Sequence, residues 1–209
     1  EERLVGSEMC IRDRHWCEHR RPIVTVKLAV DANGSVDDNS AESKRFTSEA
    51  CLDEVHRLRM DCDAILVGAE TVERDDPSLT VRRIETERQP LRVILDPKER
   101  TNKGAKVYND GGETIRIGRE YNGLLPLLNR LGDIEKQRLL VEGGPATIHG
   151  FLSEGLVDEF YLVQSRVEHC EPVPSNIDGD VLKQSGLVLN HEEQWGEESV
   201  QVWMRKLSQ

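Results

Sequence analysis

The chain has no long hydrophobic run. No apolar stretch approaches the roughly 18 residues that a membrane-spanning helix needs, so no span is expected. It also lacks a positive charge balance. With 28 Lys and Arg against 39 Asp and Glu, the formal net charge is −11. That is the wrong sign for a general binder of nucleic acid or of an anionic membrane. An anionic small ligand remains compatible, given a local cluster of cations. A disulfide framework is missing as well. The five cysteines (Cys10, Cys17, Cys51, Cys62 and Cys170) are odd in number and scattered, with no C-x-x-C. This pattern points to a reducing compartment. Internal repeats, low-complexity tracts and a signal-peptide layout are absent. No Ser/His/Asp set or paired-carboxylate dyad is evident. His15, Cys17 and His19 alternate, but nothing downstream completes a set of metal ligands.

What remains is enough for a core. The 209 residues, 37% hydrophobic and 32% charged, fit one globular domain. Residues 1–14 stand apart. They show neither helical nor strand periodicity and resemble a translated sequencing-library adapter, so we expect them to be non-native. We read residues 15–21 as a linker and 22–209 as the folded domain.

Within that domain Ile23 to Val30 alternates as a first strand, and Asn33-Gly34 supplies a turn. Thr47 or Ser48 can cap a helix over about 49–60, whose Cys51, Leu52, Val55 and Leu58 recur at helical spacing. Strands are expected at 64–67, 91–95, 106–108, 114–117, 139–141 and 159–163. Residues 79–82 are read as extended. Helices are expected at 69–73, 124–131 and 145–154, the last stopped by Gly155. Residues 188–194 and 200–207 read as a closing hairpin. Alternating strands and helices predict an α/β fold, with a mostly parallel central sheet flanked by helices and antiparallel C-terminal edge strands. Ligands bind such sheets at the carboxyl ends of strands, which places 68–76, Asp96-Pro97 and Gly143-Gly144 on one rim.

The densest signal is Leu139-Leu140-Val141-Glu142-Gly143-Gly144-Pro145. A buried strand runs into two glycines, which tolerate positive φ and close approach of a ligand. Pro145 suits the first helical position, and the free amides of a helix start favour negative charge. The pattern reads as a phosphate cradle. Its alternative is an ordinary strand-to-helix turn, because a glycine pair alone is weak evidence.

Six ordered motifs then converge. They are Lys27-Leu28-Ala29 with Glu42-Ser43; Val55-His56-Arg57-Leu58-Arg59 leading to Asp63–Gly68 and Thr71-Val72; Asp75-Asp76-Pro77-Ser78-Leu79-Thr80-Val81-Arg82; Arg92–Asp96; Val141–Pro145; and Gly155–Glu159. Together they resemble the reductase domain of riboflavin biosynthesis, the RibD C-terminal family, from about residue 22 to 165. The resemblance implies a dihydrofolate-reductase-like fold, NADPH as hydride donor and a homodimer. It also implies a phosphorylated ribosylamino-pyrimidine substrate, reduced at the ribose C1′ to a ribityl chain. No catalytic side chain is then required, since the cofactor carries the hydride.

By the same resemblance, Ser43, Arg59, Leu79, Arg82 and Glu142 match substrate positions. Either arginine would fork a phosphate, and Glu142 would accept hydrogen bonds from ring amines. Ala29, Arg45, Thr71, Asp75, Gly144, Pro145, Ala146, Thr147 and Gly150 match cofactor positions. Arg45 stands where many members have tryptophan, and Pro97 where a serine often contacts the cofactor. Residues 169–178 do not match the family. Residues 15–22 resemble the linker that follows a deaminase in two-domain members, so an upstream deaminase domain is a possible fusion partner. The zinc deaminase signature is absent from this chain, which is not expected to deaminate. Two alternatives stay open: another pteridine or pyrimidine reductase on this fold, and a silent domain for binding or dimerisation. The expected location is cytoplasm or plastid.

Overall fold

A computed structural model describes residues 15–38 and 46–206. The adapter-like residues 1–14, and the expected site residues Ser43 and Arg45, lie outside the described residues. Ten strands are assigned among those described: β1 (Ile23–Val30), β2 (Ser35–Asp38), β3 (Ala64–Gly68), β4 (Leu91–Leu95), β5 (Thr114–Ile117), β6 (Arg138–Val141), β7 (Glu159–Gln164), β8 (Pro172–Pro174), β9 (Leu187–Trp195) and β10 (Glu198–Arg205). The main helices are α1 (Glu49–Asp61), α2 (Ala69–Asp75), α3 (Lys106–Asn109), α4 (Leu124–Asp133), α5 (Pro145–Ser153) and α6 (Gly179–Gln184).

Eight strands form one sheet in the order β5-β4-β3-β6-β1-β7-β10-β9. Every pair from β5 to β7 is parallel, and the β7–β10 and β10–β9 pairs are antiparallel. β3 and the Leu139–Val141 stretch of β6 are apolar without a break because both of their faces are covered. Alternate side chains go to opposite faces. Leu66, Leu139 and Val141 join a core with α4, α5 and α6, through Leu128, Phe151 and Leu182 among others. Ile65, Val67 and Leu140 join a second core with Val72 of α2 and Val107 of α3. Helix α1 packs Cys51 and Val55 against Val163, Val200 and Val202 of the β7–β10 end. The expected architecture is therefore observed: a mostly parallel sheet with helices on both faces and antiparallel edge strands.

Local signals behave as their chemistry dictates. Ser48, not Thr47, caps α1: its Oγ accepts the Cys51 N–H at 3.2 Å. Buried Glu198 takes the Ser48 N–H at 2.7 Å and its hydroxyl at 2.5 Å, which ties the hairpin turn to the helix start. Gly34 and Gly155 take positive φ, +82° and +64°, as a turn and a helix end require.

Three segments correct the sequence reading. Residues 106–108, expected as a strand, open the helix α3. Asn109 donates to the carbonyls of Lys103 and Ala105, at 2.7 and 2.9 Å, and winds the segment up. Residues 79–82 join no strand, and Leu79 has φ +55°. Residues 35–38 and 172–174 pair as a separate antiparallel ribbon, which the sequence reading did not include. Pro172 and Pro174 are tolerated there because a two-stranded ribbon is all edge. Asp31 fixes the base of this ribbon by accepting the N–H groups of Asn33, Ser35 and His169 at 2.8, 2.8 and 2.9 Å. Helix α6 was also not anticipated; Asp178 caps it by accepting from the amides of Asp180 and Val181.

Candidate active site

Strand β6 is inserted between β3 and β1. Chain connections leave in opposite directions there, and a crevice opens beyond the carboxyl ends. A cleft of about 360 Å³ occupies this place, and it shares walls with an outer recess of about 720 Å³. β1 contributes Lys27 and Ala29, which share a face by strand alternation. α2 contributes Thr71 and Asp75, and the β6–α5 turn contributes Glu142, Gly143, Gly144 and Pro145. Val36, Asp37 and Val173 of the β2–β8 ribbon wall the opposite side.

At the floor, Arg59 and Glu142 form a bidentate pair, Nε to Oε1 and Nη2 to Oε2, both at 2.7 Å. Arg59 Nη1 also donates to the Thr80 carbonyl at 3.3 Å. Each side chain is only 10% exposed. Burial pushes the Glu142 carboxyl up, but the Arg59 guanidinium, helped by Lys27 and His56, outweighs this and holds it below its ordinary value. Burial likewise works to lower Arg59, while Glu142 raises it overall. The sequence reading gave this arginine a phosphate and this acid a ring amine. In this structure the guanidinium fork is engaged by Glu142. Of the two expected phosphate arginines, the exposed Arg82 lies on the outer recess.

Lys27 was not singled out as a site residue. Of the cations lining the two volumes, Arg59 pairs with Glu142, Arg74 with Asp37 and Lys106 with Asp76. The Lys27 ammonium makes no hydrogen bond or ion pair among the described residues. The signal that could have found it was present, because it stands two residues before Ala29 on one strand face. Asp37 and Val173 carried no such signal, since only the ribbon pairing brings them to the cleft, whereas Arg74 stands on α2 within the expected rim.

His56 was also missed as a site neighbour. It is fully buried beside the pair, and its Nδ1 accepts the Arg82 N–H at 3.2 Å. Burial, then Arg59 and Arg82, lower its pKa from 6.5 to about 4. The folded chain thus holds His56 neutral where the unfolded chain protonates it. His56 is expected to cost stability as pH falls from about 6.5 toward 4, with a slope of up to about 1.4 kcal/mol per pH unit. Denaturant unfolding of wild type and His56→Gln across that range checks this. Parallel curves would refute it.

The glycines divide into two kinds. A Cβ on Gly68 would meet Thr147 Oγ1 at 2.6 Å, and one on Gly143 would meet Thr147 Cβ at 2.9 Å. These two make room for Thr147, whose side chain packs over them and is not among the residues lining the cleft. A Cβ on Gly150 would meet Leu124 Cδ1 of α4 at 3.4 Å, and Ala146 also lies off the wall. A Cβ on Gly144, in contrast, would meet only Thr71 Oγ1 at 3.8 Å, so its backbone borders open space. Neither Gly143 nor Gly144 uses the positive φ that glycine tolerates; Gly144 is an extended N-cap, φ −67° and ψ 170°. Gly68→Ala is expected to cost about 1–3 kcal/mol through overpacking, and most of that cost should vanish in a Thr147→Ala background. A double-mutant cycle by denaturant unfolding measures the coupling, and additive costs would count against this contact.

Of the expected positions, Ala29, Arg59, Thr71, Asp75, Leu79, Glu142, Gly144 and Pro145 thus share the cleft. Arg82 stands on the outer recess; Ala146, Thr147 and Gly150 stand apart. The Asp96-Pro97 turn, expected on the rim, is not in the cleft wall either. Buried Asp96 spends its carboxylate on its own turn, accepting from the amides of Arg100 and Thr101 at 3.0 and 2.9 Å. Open backbone at Gly144, a helix start and the small Ala29 suit a phosphate-bearing, flat-ringed cofactor.

Comparison with known proteins agrees with the geometry. Residues 22–165 match the profile of the RibD C-terminal domain. The riboflavin biosynthesis protein RibD of Aquifex aeolicus is 37% identical over 163 residues, 68% of this chain and 46% of that protein. The chain thus spans about half the length of this relative. The 2,5-diamino-6-ribosylamino-4(3H)-pyrimidinone 5′-phosphate reductase of Archaeoglobus fulgidus is 34% identical over 173 residues, 66% of this chain and 78% of that protein. Among solved structures, a deaminase/5-amino-6-(5-phosphoribosylamino)uracil reductase from Thermotoga maritima superposes with TM-score 0.82 at 26% identity, over 95% of this chain and 61% of that one. The match covers β1, β3, β6 and the β6–α5 turn of the cleft, though not β8, and on it the chain belongs to the RibD C-terminal domain family.

Proposed function

We propose that this domain reduces C1′ of a phosphorylated ribosylamino-pyrimidine to the ribitylamino product, with NADPH as donor, in riboflavin biosynthesis. The carrying observation is the cleft itself. It joins a glycine-opened helix start, a buried Arg59–Glu142 pair and the ammonium of Lys27 at the carboxyl ends of β1, β3 and β6. The names of the two relatives support the same reading.

Thr71, Asp75, Gly144 and Pro145 would hold the cofactor, with Ala29 leaving space beside its ring. When bound, NADPH supplies the hydride that C1′ accepts. The substrate reaches that state when its C1′–O4′ bond breaks and the lone pair of the exocyclic amino nitrogen bonded to C1′ forms C1′=N. The ring oxygen leaves with the bonding electrons and needs a proton. Lys27 is the cleft cation placed to donate it, and a positioned proton donor of this kind contributes about 10²–10⁴-fold. Glu142, kept ionised by Arg59, can still accept an N–H from the pyrimidine edge, because a carboxylate has about four acceptor sites. Leu79 packs against the substrate, and Arg82 meets its phosphate at the outer recess. The same reading includes a homodimer and, in a longer chain, an upstream deaminase domain.

The test is NADPH oxidation by the purified domain with the phosphorylated ribosylamino-pyrimidine, offered in both deaminated and undeaminated forms. Turnover with either is the expected result. Folded protein that binds NADPH but reduces neither would overturn the proposal.

A further inference from the structure

Residues 76–82 carry Leu79 and Arg82 to the cleft and its recess, yet they pair with no strand. Side chains hold this segment instead. Arg59 donates to the Thr80 carbonyl, Gln89 bonds both backbone groups of Val81 at 2.8 Å, and His56 takes the Arg82 N–H. The anchor beside Leu79 comes from Arg92. This arginine sits on β4, is 1% exposed and does not border the cleft. Its Nη1 donates to the Ser78 carbonyl at 2.9 Å. The rest of the guanidinium is bonded to the Asp110 carboxylate and to the carbonyls of Gly112 and Glu113.

Two further observations bear on this anchor. Asp76 and Leu79 both have positive φ, +40° and +55°. Non-glycine residues stay in that region only when their surroundings over-determine them. Gly112 leaves the seat for the guanidinium, because a Cβ there would lie 2.7 Å from Arg92 Cζ. A buried charge that spends most of its donors on backbone carbonyls of two loops is stitching those loops together.

We propose that Arg92 is the positioning residue for the substrate side of this site. It fixes Ser78, and through it the strained turn that presents Leu79 to the cleft and Arg82 to the recess. This inference rests on the reductase reading, so its test has one arm that needs no activity.

Arg92→Met keeps the volume and removes every donor. Amide hydrogen exchange over residues 78–82 is expected to accelerate at least tenfold, while β1 and β6 keep their protection. In turnover assays the KM for the phosphorylated substrate should rise about 10–100-fold, with kcat and the Kd for NADPH changed less than about threefold. Arg92→Lys, which retains one donor, should recover part of the KM. If Arg92→Met does not fold, Gly112→Ala displaces the guanidinium from its seat and should give the same pattern more weakly. Unchanged exchange at 78–82 in a folded variant would overturn the proposal. So would a loss of NADPH binding as large as the loss for substrate. If wild type shows no turnover, the reductase reading fails, and the exchange arm still decides whether Arg92 holds the turn.

Discussion

Glu142→Ala is expected to destabilise the domain by about 3–5 kcal/mol and to abolish turnover. The two losses have different origins. Arg59 is buried with its Nε and Nη2 bonded to Glu142, so removing the acid leaves a guanidinium charge without a partner in a desolvated site. The acid is equally costly if the arginine goes. Replacing both at once with apolar groups of similar volume, as in Arg59→Leu/Glu142→Met, should return stability to near wild type, because no charge is then stranded. Turnover should not return, since the cleft has lost its hydrogen-bonding floor. Urea unfolding and NADPH oxidation measured on the same samples separate the two effects. A double variant that is stable and also turns over normally would reduce the pair to scaffolding.

Lys27→Met should show the opposite balance, a loss of kcat of at least about 100-fold at unchanged or slightly raised stability. The Lys27 side chain makes no hydrogen bond or ion pair among the described residues, so its removal strands no partner. The ammonium stands beside Ala29 on the cleft face of β1, where it adds to the field of Arg59 on Glu142 and is bonded to neither. Steady-state kinetics with thermal unfolding as the control decide the matter. A kcat within twofold of wild type would remove Lys27 from the mechanism. A large fall in stability would recast it as a structural counter-charge to Glu142.

Much of this protein is legible one segment at a time. β3 and β6 are read from unbroken apolar runs, because a parallel strand covered on both faces shows no alternation. α1 is read from helical spacing behind a Thr47 or Ser48 cap, and the β9–β10 hairpin from its two alternating runs. The failures share a cause. Residues 106–108 offer only one buried side chain, Val107, and three residues cannot distinguish a period of 2 from one of 3.6. Their state is set by the hydrogen bonds of Asn109 to carbonyls four and six residues back.

The site divides along the same line. Glu142-Gly143-Gly144-Pro145 announces a strand, a turn and a helix start, and the six ordered motifs point to the family. Sequence, read with the family resemblance, therefore determined the sheet and eight of the residues that line the cleft. It could not say which glycine faces a ligand and which makes room for a neighbour, since Gly143 and Gly144 differ only in where Thr147 lies. Nor could it show that Arg59 and Glu142, 83 positions apart, engage one another, or that a ribbon of residues 35–38 and 172–174 walls the cleft. Propensity and periodicity act over a few residues, so they are written in the local sequence. Charge pairing, exclusion of a Cβ and strand pairing at long range depend on which distant groups the fold brings within a few ångströms, and only the tertiary structure decides that.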